Sequence, residues 1–327
     1  MEGKEERIRV AVRVRPLSGV HIGKEEAVKA SADGQSVLVH SDLTRSNNAA
    51  TFRCGTFLPS DITQQAVFDE IRAPELIEAA LDGYPVTIFA YGQTGAGKSF
   101  TIFGKEDTQS RLSVKGAVTD TDGILPRTAH RLMEIVDERR GLIDYTLRVT
   151  CIEIYNEQVR DLFDVKKEPL AMRHSTDHGF YLENATVVEC RSAKEIIKVV
   201  RLAATNRIKS AHLLNERSNR SHCLVTIYID SMPRDGIKKY GKLTIVDLAG
   251  SERANDTGAV GQQLKETGHI NKSLYCLSKV IQAMTSNANT NGKPKFVPFR
   301  DSKLTMVRGI WVGLSEWERS DSREAAH

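Results

Sequence analysis

The amino-acid sequence predicts an α/β fold, with one central mixed sheet flanked by helices in three layers. Three observations carry the prediction. Short apolar strands alternate with helical stripes along most of the 327 residues, the signature of a layered α/β domain. An uncharged run, Val86-Thr87-Ile88-Phe89-Ala90, leads into a glycine-rich turn and a helical start at Lys98. A second apolar run, Lys242 to Val246, ends abruptly in Asp247.

The elements follow in order. Ile8 to Arg15 alternates apolar and basic residues and stops at Pro16, so it reads as a strand with its arginines on one side. Residues 25–56 read as short strands and turns around Asp33-Gly34. Thr63 is placed to cap a helix holding Ala66, Val67 and Ile71. Pro74 opens a second helix that ends near Gly83 and buries Leu76, Ile77, Ala80 and Leu81. The Val86–Ala90 run reads as a strand buried on both faces. Lys105 to Thr121 is polar and irregular, a surface loop. Pro126 opens a helix carrying Leu132, Ile135 and Val136 and stopping at Gly141. Leu147 to Tyr155 is a long strand, and Lys166 to Gly179 a polar, basic connection. Ser192 and Glu195 form a capping box ahead of Ile196, Ile197, Val200 and Ala203. His222 to Asp230 and Lys242 to Val246 are two more strands. A long helix fits Gln262 to Met284, with Ile270, Leu274, Leu277, Ile281 and Met284 in one apolar stripe.

Composition narrows the function classes. The chain is 40% hydrophobic and 27% charged, ordinary for a globular domain. A net charge of +4 is too small to argue for nucleic acid. No apolar run approaches the ~20 residues of a membrane span, and the charged N-terminus has no signal-peptide core. Five widely spaced cysteines without a C-x-x-C pattern predict reduced thiols in a cytosolic or nuclear setting.

Gly92-Gln93-Thr94-Gly95-Ala96-Gly97-Lys98-Ser99 fits the phosphate-binding pattern G-x-x-x-x-G-K-[ST]. Glycines let the backbone wrap round phosphate oxygens, and successive N–H groups point at the anion. Lys98 adds a positive charge for the outer phosphates, and Ser99 offers a hydroxyl to Mg²⁺. Asp247-Leu248-Ala249-Gly250-Ser251-Glu252 supplies the strand-end acid that holds Mg²⁺, with Gly250 free to approach a γ-phosphate through its backbone. Asn215 to His222 packs hydroxyls, an amide and a guanidinium just before a strand. His222 itself reads as a packing histidine rather than a ligand.

Together these stretches resemble the kinesin motor domain. Residues 92–99 resemble its P-loop, Asp247 to Glu252 its switch II, Asn215 to His222 its switch I, and Arg13-Val14-Arg15-Pro16 its adenine-lining motif. Further matches are Gly123 to Arg127, Ile152 to Glu157, Ile270 to Leu274 and Val297 to Thr305. The resemblance covers roughly Ile8 to Met306. It implies an ATPase that uses MgATP and binds microtubules in the cytoplasmic cytoskeleton. It implies that Arg13, Arg15 and Pro16 flank the adenine, with Phe100 stacking. Gly92, Gln93, Thr94, Gly95, Ala96, Gly97 and Lys98 would cradle the phosphates. Ser99, Ser218 and Asp247 would organise Mg²⁺, Gly250 would sense the γ-phosphate, and Arg220 with Glu252 would close both switches. Asn271, Lys272, Arg300 and Lys303 map to the microtubule face, with Lys166 and Lys167 as weaker candidates on another loop.

Three departures stand out. Asn219 replaces a serine of switch I, which predicts slower turnover. Gly268 lies inside the long helix and predicts a late start or a bend. After Met306 the resemblance stops, leaving a motor domain over residues 1–306 and a divergent polar tail over 307–327. The family's last strand, expected between the Arg13 strand and the P-loop strand, and its final helix are then missing. The alternative this raises is a non-motile microtubule-binding module with impaired turnover.

Overall fold

The basic strand near the N-terminus keeps only its middle, with β1 spanning Ala11–Arg13. The structure, a computed structural model, describes residues 8–17, 22, 27–31, 36–40, 50–105, 118–175, 179–212, 220–234, 236–252, 262–288 and 296–307, with the backbone alone at 175, 179, 209–212, 262–270 and 287–288. β2 (Val28–Ala30), β3 (Ser36–Val39) and β4 (Ala50–Arg53) form a small antiparallel sheet, as the turn-rich stretch predicts. β5 (Thr56–Leu58) returns to pair in parallel with β1.

Thr63 caps α1 (Gln64–Glu70) as predicted, its hydroxyl accepting from the Ala66 amide at 3.1 Å. That satisfies one donor the first turn leaves over. α2 (Ala73–Leu81) carries Pro74 in its first turn and buries Ile77, Ala80 and Leu81. It lies so close to the sheet that a Cβ on Gly241 would collide with the Ala80 carbonyl. β6 (Pro85–Ala90) leads into the glycine-rich loop, and α3 (Lys98–Phe103) starts at its end. α4 (Ile124–Glu138) starts two residues ahead of Pro126. The proline sits inside the first turn, where its missing N–H has no intrahelical partner to lose.

β7 (Ile143–Tyr155) extends further back than predicted and turns into β8 (Gln158–Asp161). β9 (Met172–Ser175) and β10 (Gly179–Leu182) form a hairpin, β9 lying where the sequence reads only a polar connection. Charges on Arg173 and around it hide so short a strand from periodicity. β11 (Val188–Cys190) precedes α5 (Ala193–His212). The predicted capping box is present: Ser192 Oγ accepts from the Glu195 amide at 3.2 Å, and Glu195 Oε2 accepts from the Arg191 amide at 2.7 Å. β12 (His222–Pro233) and β13 (Lys239–Asp247) follow. α6 (Gln262–Ala288) runs unbroken through Gly268. A mid-helix glycine costs about 1 kcal/mol, and burial of Leu274, Leu277 and Val280 further along outweighs it. A 3₁₀ turn, Phe299–Asp301, and α7 (Lys303–Met306) complete the described chain. Asn219 and residues 308–327 lie outside the described residues.

The main sheet has the order β11-β7-β12-β13-β6, with β8 on β7. Only β6 and β13 run parallel; the other pairings are antiparallel. One face packs on α2, α4 and α5 through residues such as Ile77, Leu132, Ile196, Val225 and Ile245. The other packs on α6 and α7 through Leu224, Val246, Leu274, Leu277 and Leu304. Among the described residues β6 pairs only with β13 and β1 only with β5. No described strand joins β1 to β6. The burial of β6 corrects one expectation. Apart from Val86, β6 is half-buried, not covered on both faces, because it ends the described strand order.

Candidate functional site

The sheet brings two distant stretches to one edge. Asp247 pairs with Ala90, so the acid at the end of β13 stands beside the start of the glycine-rich loop. Gly92, Gly95 and Gly97 have φ of 151°, 79° and 96°, conformations that side chains make costly. Gly97 is the N-cap of α3. Lys98 Nζ folds back to donate to the carbonyls of Gly92 and Gln93, at 2.9 Å each. Burial pulls its ammonium below the ordinary lysine value, against the opposing attraction of Asp247 and Glu252. Ala96 donates its amide to the Gln93 carbonyl at 3.1 Å, which tightens the loop.

Ser99 Oγ donates to Asp247 Oδ2 at 2.8 Å. Asp247 is buried, and its Oδ1 has no hydrogen-bond partner. An orphaned carboxylate oxygen beside a serine hydroxyl is a hard-oxygen donor set, which fits Mg²⁺. A third participant was not anticipated from sequence. Arg207, on α5 and nearly fully buried, donates to Asp247 Oδ2 at 3.2 Å and to the Ser221 carbonyl at 2.9 Å, and lies 3.7 Å from Glu153 Oε1. A signal existed: Val200, Ala203 and Arg207 continue one helical stripe, so the guanidinium falls on the buried face.

The second switch stretch folds onto the loop. Glu252 Oε2 accepts from the Thr94 amide at 2.8 Å, and its Oε1 accepts from the Thr94 hydroxyl at 2.5 Å. The Ser251 amide donates to the Gly92 carbonyl at 3.1 Å. Burial works against the Glu252 charge, yet the Thr94 hydroxyl, the Thr94 amide and Lys98 together hold its carboxyl below the usual range. A Cβ on Gly250 would overlap both the Glu252 carboxylate and the Thr94 hydroxyl, so a side chain there would have to displace the Glu252–Thr94 contact. The Glu252 carboxylate thus engages Thr94, and its pairing with Arg220 stays an expectation. Arg220 is half-buried, and Ser218 lies outside the described residues.

At the other end of the loop, Arg13 Nη1 donates to Gln64 Oε1 at 2.8 Å and to Thr101 Oγ1 at 2.9 Å. Its guanidinium stands 5.4 Å from the centre of the Phe100 ring. Gln64 Nε2 donates to the Phe100 carbonyl at 2.8 Å, so this buried glutamine, unsuspected from sequence, ties β1 to α3. Arg15 donates to the Gly95 carbonyl, and Pro16 is exposed beside it. Arg13, Arg15, Pro16 and Phe100 thus gather at one mouth of the loop.

The remaining candidates lie elsewhere. Lys272 and Arg300 are exposed, and Asn271 and Lys303 half-buried, on α6 and the turn after it. Glu157 anchors that turn: its carboxylate accepts from Ser302 Oγ and from the Lys303 amide, both at 2.7 Å. Lys167 is engaged internally with the Asn184 carbonyl and Thr186 Oγ1, whereas Lys166 is exposed.

Comparison with known proteins agrees on one relationship. The family profile for the kinesin motor domain matches residues 13–308. Among curated relatives, kinesin-like protein KIN-14D of Oryza sativa subsp. japonica is 38% identical over 94% of this chain and 30% of its own length. Kinesin-like protein KIF15 of Rattus norvegicus is 36% identical over 93% of this chain and 22% of its own. Kinesin-like protein KIF12 of Mus musculus is 35% identical over 95% and 48%. The chain thus spans less than half the length of each. Among solved structures, a fast kinesin superposes with a TM-score of 0.79 at 34% identity, covering 95% of this chain and 81% of that one. A Kar3-like kinesin motor domain from Ashbya gossypii gives 0.73 at 31% identity, covering 92% and 87%.

Proposed function

The chain belongs to the kinesin motor-domain family, and on that premise we propose that it is a microtubule-stimulated ATPase whose affinity for microtubules follows the state of its nucleotide. The observation that carries this reading is the 2.8 Å bond between Ser99 and Asp247. Two motifs 148 residues apart meet with a buried carboxylate oxygen to spare.

In this reading the Gly92–Gly97 amides and Lys98 hold the phosphates, and the open edge beside Arg13, Arg15, Pro16 and Phe100 takes the adenine. Ser99 and Asp247, with Ser218, would hold Mg²⁺, which when bound neutralises charge on the β- and γ-phosphates. Lys98 must leave the Gly92 and Gln93 carbonyls to reach a phosphate, a short swing for a flexible side chain. Glu252 must leave Thr94 so that the Thr94 amide can serve the phosphates, which frees the carboxylate to meet Arg220. Gly250 then offers its backbone N–H to the γ-phosphate without a side chain in the way. Hydrolysis forms a bond from water oxygen to the γ-phosphorus and breaks the bond to the β-bridging oxygen, giving ADP and phosphate. The chain contributes by positioning and by preorganised charge. Asn271, Lys272, Arg300 and Lys303 are proposed as contacts to the acidic microtubule surface, placing the chain on the cytoplasmic cytoskeleton.

The test is calorimetry with MgATP alongside ATPase assays with and without microtubules. Nucleotide binding and a microtubule-stimulated rate are expected for the wild type. For Lys98→Ala, turnover should fall by about 10²-fold or more. A well-folded chain that ignores MgATP overturns the proposal.

A further inference from the structure

One buried side chain outside the phosphate machinery joins three elements of the site. His222 opens β12 and is 2% exposed. Its Nδ1 accepts from the Ala249 amide at 3.0 Å, and its Nε2 lies 2.8 Å from Ser273 Oγ on α6. An N–H already points at Nδ1, so that nitrogen carries no proton; the ring proton sits on Nε2 and is donated to the serine. Both ring nitrogens are thus spent on different elements. Burial, reinforced by the nearby Arg207 and Lys98, pushes the imidazole down to about 3, so the ring stays neutral and the arrangement does not change with physiological pH.

The neighbours of these contacts give the arrangement its meaning. Ser221, just before His222, gives its carbonyl to the Arg207 that holds Asp247. Ala249 immediately precedes Gly250, where an added Cβ would meet the Glu252 carboxylate and the Thr94 hydroxyl. Ser273, itself buried, directly follows Asn271 and Lys272, of which Lys272 is exposed. Leu274 and Leu277 then fix α6 to the sheet. A shift of the backbone at 249–250 can reach α6 through the imidazole without waiting for the apolar packing to rearrange.

We propose that His222 is the positioning residue that couples the γ-phosphate-facing backbone at 249–250 to α6, with Ser273 as its receiving partner. The inference rests on the motor reading above, and its function is a coupling between two sites, not a contribution to binding at either. Such couplings are ordinarily about 5- to 150-fold in affinity, ample for one pair of buried hydrogen bonds to matter.

The experiment measures microtubule co-sedimentation of the full chain with a non-hydrolysable ATP analogue and with MgADP, taking the ratio of the two affinities, and measures nucleotide affinity separately by calorimetry. Ser273→Ala removes only the receiving hydroxyl. His222→Asn keeps an acceptor near Ala249 and loses the reach to α6. Each single variant is expected to bind nucleotide within about twofold of wild type while the affinity ratio falls at least about threefold. Combining both changes should lower the ratio no further than either alone, because one bond has been cut twice. An unchanged ratio in Ser273→Ala, or losses that add in the double variant, overturns the proposal. A wild-type chain that binds nucleotide but has no nucleotide-dependent ratio overturns the motor reading instead.

Discussion

At the scale of single residues, Arg207 shows how much depends on one buried charge. It faces Asp247 and Glu153, both nearly inaccessible. Arg207→Ala leaves two carboxylates buried without their cation, and breaking such a buried set costs about 3–5 kcal/mol. Urea unfolding should register a loss of that size, with Arg207→Lys in between because a point charge cannot replace the planar fork. His222 gives a second expectation. The unfolded chain takes up a proton on this ring below pH 6.5, whereas the fold resists until about pH 3. The unfolded state therefore binds more protons across that window. Its contribution to stability is complete above about 6.5 and is lost as pH falls toward about 3. Urea midpoints from pH 7 to pH 4 should fall more steeply for the wild type than for His222→Asn. Asp247, Ser99 and Lys98 were legible because they fall in motifs whose spacing suits phosphate and Mg²⁺. Gln64 was not, since nothing local marks a polar side chain that finds its partner on a distant element, and Arg207 showed only as one member of a buried helical stripe.

At the scale of elements, local chemistry was readable and local length was not. Thr63, Ser192 and Glu195 announce helix starts through the hydrogen bonds they make. Thr63→Ala should cost about 1 kcal/mol, seen as a lower unfolding midpoint. β7 and β12 exceed their predicted spans because cross-strand pairing out to Ile143 and Pro233 adds stability that no single strand's pattern records. The β7–β8 turn is the most instructive. Asn156 and Glu157 both hold positive φ, 51° and 56°, a conformation unfavourable for a glutamate. The strained turn aims the Glu157 carboxylate at Ser302 and the Lys303 amide. Glu157→Gln weakens both charge-assisted bonds, so the turn bearing Arg300 should loosen. Microtubule affinity is expected to drop about threefold or more while MgATP affinity holds. Equal losses in both would count against this role.

At the scale of the whole molecule, the sheet is deep on one side and thin on the other. β12 is paired along its length on both sides, while β6, which carries the glycine-rich loop, ends the described order. Among the described residues that strand is held on one side only, and a nucleotide held by its loop, as proposed above, adds restraint there. MgATP at a hundred times its dissociation constant should stabilise the fold by about 2.7 kcal/mol, raising the melting temperature by several degrees. Sequence alone gave the order of most strands and helices. It could not give the pairing of β1 with β5, which depends on what else is within reach of that edge.

The Thr94–Glu252 contact has a kinetic consequence. In the proposed nucleotide reading the Glu252 carboxylate occupies the Thr94 amide that a phosphate would take, so the chain would compete with its own ligand. An arriving triphosphate would then have to displace that carboxylate before the loop could close on it. Glu252→Gln, a weaker acceptor, should let MgADP enter faster in a stopped-flow trace even as hydrolysis declines. The threshold for occupancy is then set by an anion the polypeptide carries with it.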